Sequence, residues 1–151
     1  MEIKKILVPV DGSPATSKVI EWACHFAKTF RSELLLLHVV SIPPVSDVGG
    51  MQVAAKELEE AGQSILSSAV KAAEERSVSP TAILDFSVGN AGMRIVQLAK
   101  EKSADIIVIG ARGQSRIRAL LMGSVANSVV NNAHCPVFVV RPCTEQEISP
   151  S

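Results

Sequence analysis

The 151-residue chain reads as an α/β protein, a five-stranded parallel sheet with helices on both faces. Three observations carry that expectation. Apolar runs of strand length alternate with helix-period segments along the chain. The strand-like runs are apolar at nearly every position, as in a sheet covered on both sides. Gly, Pro, Ser and Asp cluster at the junctions between runs.

The elements follow in order. "KKILVPV" (4–10) is a buried strand ended by the turn "DGSP". Over 15–29, Val19, Trp22, Ala23, Phe26 and Ala27 recur at helical spacing and form an apolar face, with Ser13 before Pro14 as the expected N-cap. "ELLLLHVV" (33–40) is the second strand, and "SIPPVSDVGG" (41–50) reads as a loop. Residues 51–77 form the longest helical pattern, with Ala54, Leu58, Ala61, Ile65, Ala69, Ala72 and Ala73 as its stripe. "TAILDFSVG" (81–89) is a strand, and 91–102 is a helix with Ile95, Leu98 and Ala99 in register. "ADIIVIG" is the fourth strand, 124–133 a helix and "CPVFVVR" the fifth strand. The length suits one domain, taken as 1–142, and the patternless 143–151 reads as a flexible tail.

Composition narrows the function. Fifteen basic residues balance fifteen acidic ones, so no global field draws the chain to nucleic acid or an anionic membrane. Four Phe, one Trp and no Tyr leave little for stacking on bases or a flavin. Lysines precede an apolar stretch at the N-terminus, but Pro9 and Asp11 end it well short of a secretory core. No run approaches the ~20 apolar residues of a membrane helix. Cys24, Cys135 and Cys143 lack paired spacing, which fits a reducing compartment. The expectation is a cytoplasmic protein with no nucleic-acid or membrane partner.

Two glycine-bearing turns carry the candidate chemistry: Asp11-Gly12-Ser13 after strand one, and "GARGQSRIRALLMGS" (110–124) after strand four. In open parallel sheets, ligands bind outside the carboxyl ends of the strands where the winding reverses. Alternation alone does not fix strand order. The order 3-2-1-4-5 sets these turns side by side and is the one adopted. Gly110 and Gly113 permit tight turning and close backbone approach. Gly123-Ser124 stands where the next helix begins, with Ser124 as a natural N-cap. Free amides and the helix dipole there suit a phosphate, and Arg112, Arg116 and Arg118 add positive charge. The segment can equally be a plain connection into an ordinary capped helix, and the residues alone leave both readings open.

Catalysis has less support. The lysine of a hydrolytic phosphate loop is missing, and spacing identifies neither a nucleophile–base pair nor a carboxylate pair. Asp11 has no acidic neighbours of the kind a phosphoacceptor site needs. His38, inside an apolar strand, reads as a core histidine with a satisfied ring nitrogen. His134-Cys135 lacks the further ligands of a metal site. The fifth strand is an edge in the adopted order, and Val137, Phe138, Val139 and Val140 leave it uncharged. Such an edge invites pairing, which a two-fold dimer would satisfy on both copies at once.

The spacing Gly110-x2-Gly113-x9-Gly123-Ser124 resembles the G-x2-G-x9-G-[S/T] pattern of ATP-binding members of the universal stress protein family. "ILVPVDGS", "LLLLHVV" and "HCPVFVVRP" extend the resemblance over nearly the whole chain, in the same order. It implies a Rossmann-like, adenine nucleotide alpha hydrolase-like fold with strand order 3-2-1-4-5. It places the Pro9–Val10 backbone and Asp11 along the adenosine, and Val39 against the adenine. By the same resemblance Gly110, Arg112 and Gly113 follow the ribose and phosphates, and Gly123, Ser124 and Val125 hold the phosphates. The implied ligand is ATP or another adenine nucleotide, with Mg2+. The implied role is a stress-response regulator with little or no hydrolysis, dimerising through the last strand. Ala126 departs from the pattern, because nucleotide-binding relatives often carry Ser or Thr there. The alternatives are a dimeric interaction protein of the same fold that binds no nucleotide, and a weak ATPase.

Overall fold

Ile6, Leu7 and Val8 are wholly buried, and they form the centre of strand β1 (Lys5–Pro9). A computed structural model describes residues 1–43, 48–112 and 122–142, with the backbone alone for 48–54. After β1 come α1 (Thr16–Phe30), β2 (Glu33–Ile42), α2 (Val48–Glu75), β3 (Thr81–Val88) and α3 (Ala91–Glu101). Then β4 (Ile106–Gly110), α4 (Ser124–Asn132) and β5 (Val137–Val140) complete the order. The strands form one parallel sheet in the order β3-β2-β1-β4-β5, as expected.

Side chains alternate across the sheet, and both faces are buried at its centre. Ile6, Val8, Leu34, Leu36 and Val108 pack with Val19, Ile20 and Ala23 of α1 and Leu66, Ala69 and Ala73 of α2. Leu7, Leu35, Leu37, Ile107 and Ile109 face Ile95, Leu98 and Ala99 of α3 and Ala126 and Val129 of α4. This two-sided burial is why the central strands β1 and β4 lack a polar alternate position. Each fully buried Leu or Ile contributes about 1.5–3 kcal/mol by the area it removes from water.

Polar contacts fasten the edges of this core. The Asp105 carboxylate accepts the backbone N–H groups of Lys4 (2.8 Å) and Lys5 (3.0 Å), tying the entry of β1 to that of β4. Those two amides hold its pKa below the ordinary aspartate value. Arg94 of α3 bonds Asp85 of β3 at 2.8 Å. Burial alone would raise the Asp85 pKa, but the Arg94 bond and charge and the Phe86 N–H outweigh it, and the pKa is lowered.

Three helices end on a left-handed residue that is not glycine: Arg31 (φ +57°), Ser77 (+64°) and Ser103 (+57°). In each case the next amide reaches back five residues along the turn. Ser32 donates to Ala27 O, Val78 to Ala73 O and Ala104 to Ala99 O, at 2.9–3.0 Å.

Several local expectations are corrected. Helix α2 begins at Val48, inside the segment read as a loop, and β2 runs on to Ile42. Glycine weakens a helix by only about 1 kcal/mol per residue, which a 28-residue helix with a buried stripe can absorb. Its buried line is Gly62, Leu66, Ala69 and Ala73, whereas Leu58 and Ile65 are half-buried and Ala61 is exposed. The N-cap of α1 is Ala15, without a side-chain bond, and Ser13 is instead a buried turn residue whose carbonyl accepts Thr16 N–H at 3.0 Å. Trp22 is 39 % exposed and lies at the rim of the apolar face. The Ala54 side chain, Arg116, Arg118 and the 143–151 tail with Cys143 lie outside the described residues. Among the described residues, no helix is long and apolar enough to cross a membrane.

Candidate functional site

The carboxyl ends of β1, β2 and β4 open onto one cleft of about 470 Å3, at the point where the sheet's winding reverses. Its volume is in the range of small-molecule sites. Pro9, Val10, Asp11, Val39, Gly110, Arg112, Gly123, Ser124 and Val125 all line it. Gly113, the remaining residue singled out in the sequence, lies outside the described residues.

One wall is the turn after β1. Gly12 there has φ +74°, a conformation that favours glycine, and a Cβ would stand 2.9 Å from Ile65 Cγ1 on α2. Asp11 Oδ1 accepts the Ser13 N–H at 2.9 Å and the Thr16 hydroxyl at 3.4 Å, so the carboxylate organises the entry to α1. The turn also leans on β2. Val10 N–H donates to Leu37 O at 2.8 Å, and His38 Nδ1 lies 2.7 Å from Val10 O. A carbonyl only accepts, so Nδ1 carries the proton.

The facing wall comes from β4 and α4. Gly110 shows no left-handed backbone, and a Cβ there would meet Val19 Cγ2 and Arg112 O at 3.4 Å. Its value is clearance over the cleft rather than a special turn. Ala111 N–H bonds Val140 O at 2.8 Å, and Gly123 N–H bonds Ala111 O at 2.7 Å. The second of these bonds ties the chain just after β4 to the start of α4. The N-cap of α4 is Gly123, in extended conformation and without a side-chain bond, and Ser124 is the first helical residue. This corrects Ser124 as N-cap. The hydroxyl is left exposed at the cleft instead of being spent on the helix's own amides. Asn127 N–H is the first to bond back, to Gly123 O at 2.9 Å, leaving the earlier amides as anion donors.

The remaining lining is more apolar than the sequence reading foresaw. Leu58, Ala61 and Ile65 of α2, Ala91 and Ile95 of α3, and Ile109 line the cleft, as do Thr16, His38 and Ser41. The α2 residues were visible as a stripe, but nothing in the periodicity separates the part facing the cleft from the part facing the sheet. Ala126 lines the cleft and is buried. Of the described lining residues, Asp11 and Arg112 carry full charges. An anionic ligand is therefore met mainly by backbone amides and hydroxyls. Asp11 is the one carboxylate among them, so a magnesium ion here would draw most of its oxygens from the ligand's phosphates and water. Within the described residues no group of three His, Cys, Asp or Glu side chains is gathered for a metal. A second groove of about 530 Å3 lies beside α2 and is lined by Gln63, Ser67, Lys71 and Glu74 among others. None of the residues singled out for binding reaches it.

The family model that matches, over residues 2–141, is that of the universal stress protein family. A universal stress protein of Methanocaldococcus jannaschii is 37 % identical over 142 residues, covering 91 % of this chain and 82 % of its own. The structure of a universal stress protein from Lactobacillus plantarum superposes with TM-score 0.80 at 26 % identity, covering 93 % of this chain and 99 % of the other. That of a universal stress protein from Archaeoglobus fulgidus, in complex with dAMP, matches with TM-score 0.65 at 26 % identity over 92 % and 98 % of the two chains.

Proposed function

The chain belongs to the universal stress protein family, and from that premise we propose that its cleft binds an adenine nucleotide, ATP with Mg2+ being the expected form. The observation that carries this is the convergence of the two glycine-bearing turns on one cleft, beside the uncapped amino end of α4. In this reading the Pro9–Val10 backbone and Asp11 border the adenosine, and Val39 meets the base. Gly110, Arg112 and Gly113 follow the ribose and phosphates. The Ser124 and Val125 amides and the Ser124 hydroxyl hold the phosphates beside Gly123, whose own amide is taken by Ala111 O. The dAMP complex of the Archaeoglobus relative supports an adenine nucleotide as the ligand class. Mg2+ would neutralise phosphate charge, while the chain's own residues orient the nucleotide. In this reading the protein is a nucleotide-dependent regulator in the cytoplasm with little or no turnover.

Titration calorimetry of nucleotide-free protein with MgATP and with AMP tests the reading. Binding should appear and should weaken about tenfold in Ser124→Ala, which removes one hydroxyl bond to charged phosphate. Absence of heat with either nucleotide at high-micromolar concentration rejects it. Ala126 favours a second reading, an interaction protein that binds no nucleotide, because it puts a buried methyl where a further phosphate-binding hydroxyl would stand.

We also infer a homodimer through the last strand. Strand β5 is the sheet edge, and Val137, Phe138 and Val139 remain only half-buried in the single chain. Antiparallel pairing of two such edges would satisfy both.

A further inference from the structure

On the α1/α2 face of β2, Leu34, Leu36 and Val40 are buried aliphatic residues, and His38 interrupts their line with a polar ring. A polar group in such a place costs stability unless it is hydrogen-bonded. The ring's bond goes to Val10 O at 2.7 Å, and the Val10 amide is itself bound to Leu37 O at 2.8 Å. The peptide following Val10 leads to Asp11, whose carboxylate accepts from Ser13 N–H and the Thr16 hydroxyl. A continuous run of bonds thus passes from β2 through the imidazole to the cleft turn and the start of α1.

The opposite side of the ring explains a glycine in the middle of a long helix. A Cβ at Gly62 of α2 would stand 2.9 Å from His38 Cδ2, 3.0 Å from Leu84 Cδ1 and 3.1 Å from Val40 Cγ2. The ring therefore fills the space that a larger residue at 62 would need. Glycine is otherwise a poor choice inside a helix.

We propose that His38 is a positioning residue of the cleft: its Nδ1–H holds the Val10 carbonyl and so orients the Asp11–Ser13 turn toward the ligand, with Gly62 giving the ring its place. The proposal rests on the reading of the cleft as an adenine-nucleotide site. His38 acts through Val10 and Asp11, and no contact of its own with the nucleotide is required.

The test combines spectroscopy with substitutions in the full-length protein. Nitrogen-15 spectra of the imidazole should show the Nδ1–H form of the neutral ring. His38→Leu removes the donor, whereas His38→Asn puts an amide N–H near the Nδ1 position. AMP affinity should fall about tenfold in His38→Leu, as expected for one lost orienting bond, and should recover to within about threefold in His38→Asn. Gly62→Ala should weaken AMP binding in the wild-type background and do so less in the His38→Asn background, where the ring is gone. A folded His38→Leu protein that binds AMP as the wild type does overturns the proposal, and so does an Nε2–H ring.

If the wild type binds no adenine nucleotide, the ligand reading fails separately. The positioning role is then decided by hydrogen exchange at Gly12 and Ser13. Faster exchange in His38→Leu with recovery in His38→Asn upholds it, and unchanged exchange overturns it.

Discussion

Asp105 joins the starts of two strands through two backbone N–H bonds, and its pKa is lowered by them. A carboxylate with a depressed pKa stabilises the fold fully above its unfolded value, about 3.9, and loses that contribution as pH falls through the lower folded value. The stability of the wild type should therefore decline with acid below about pH 4. Asp105→Asn should start lower and decline less steeply, with the slope that remains coming from carboxylates such as Asp85. Urea midpoints measured between pH 2 and pH 6 check this, and parallel curves for the two proteins count against it. Individual residues were the hardest part of the site to read from the chain. Gly110 and Gly12 look alike in the sequence, yet only Gly12 has a backbone that favours glycine. Ser124 resembles a cap, but Gly123 occupies that place, because the bond from its amide to Ala111 O sets where the helix starts. That bond joins residues twelve apart in the chain, and no local pattern encodes it.

Helix ends offer the clearest engineering test. Arg31, Ser77 and Ser103 each adopt a left-handed conformation with a side chain attached, which costs about 1–2 kcal/mol relative to right-handed backbone. Replacing each by glycine relieves that cost but adds freedom to the unfolded chain worth about 0.4–1 kcal/mol. Each substitution should stabilise the protein by roughly 0.5–1 kcal/mol, and the three should add because they terminate different helices. Denaturant unfolding of the triple variant measures this; a lower midpoint than wild type contradicts it. Every strand and helix was legible from apolar periodicity, within a few residues at the ends. The exception at α2 has a physical cause: Gly49 and Gly50 look like turn residues, yet each costs a 28-residue helix only about 1 kcal/mol. Its stripe was also legible, but the division into a sheet-facing line at Leu66 and Ala69 and a cleft-facing line at Leu58 and Ile65 depends on where the strands end.

Strand order came from reasoning about the two turns and not from the strands themselves, whose uniform apolar character fits several arrangements. Once the turns after β1 and β4 are neighbours, β2 and β5 fall on opposite sides of them. The inferred dimer follows from the β5 side of that arrangement. Sedimentation equilibrium should give twice the chain mass, and Val139→Lys should shift it toward monomer by placing like charges across the two-fold axis. A monomer at tens of micromolar wild-type protein would reject the inference.

Trp22, Phe26 and Phe138 form a ring cluster beside that edge. Trp22 lies 5.1 Å from Phe138 and Phe26 lies 4.9 Å from it, centroid to centroid. The chain has one tryptophan and no tyrosine, so its ultraviolet emission comes from this single indole. The described cleft lining contains neither Trp nor Phe. The fluorophore therefore lies with the β5 edge and apart from the pocket. Its emission wavelength on dilution becomes an unlabelled optical gauge of subunit association, while calorimetry follows the ligand independently.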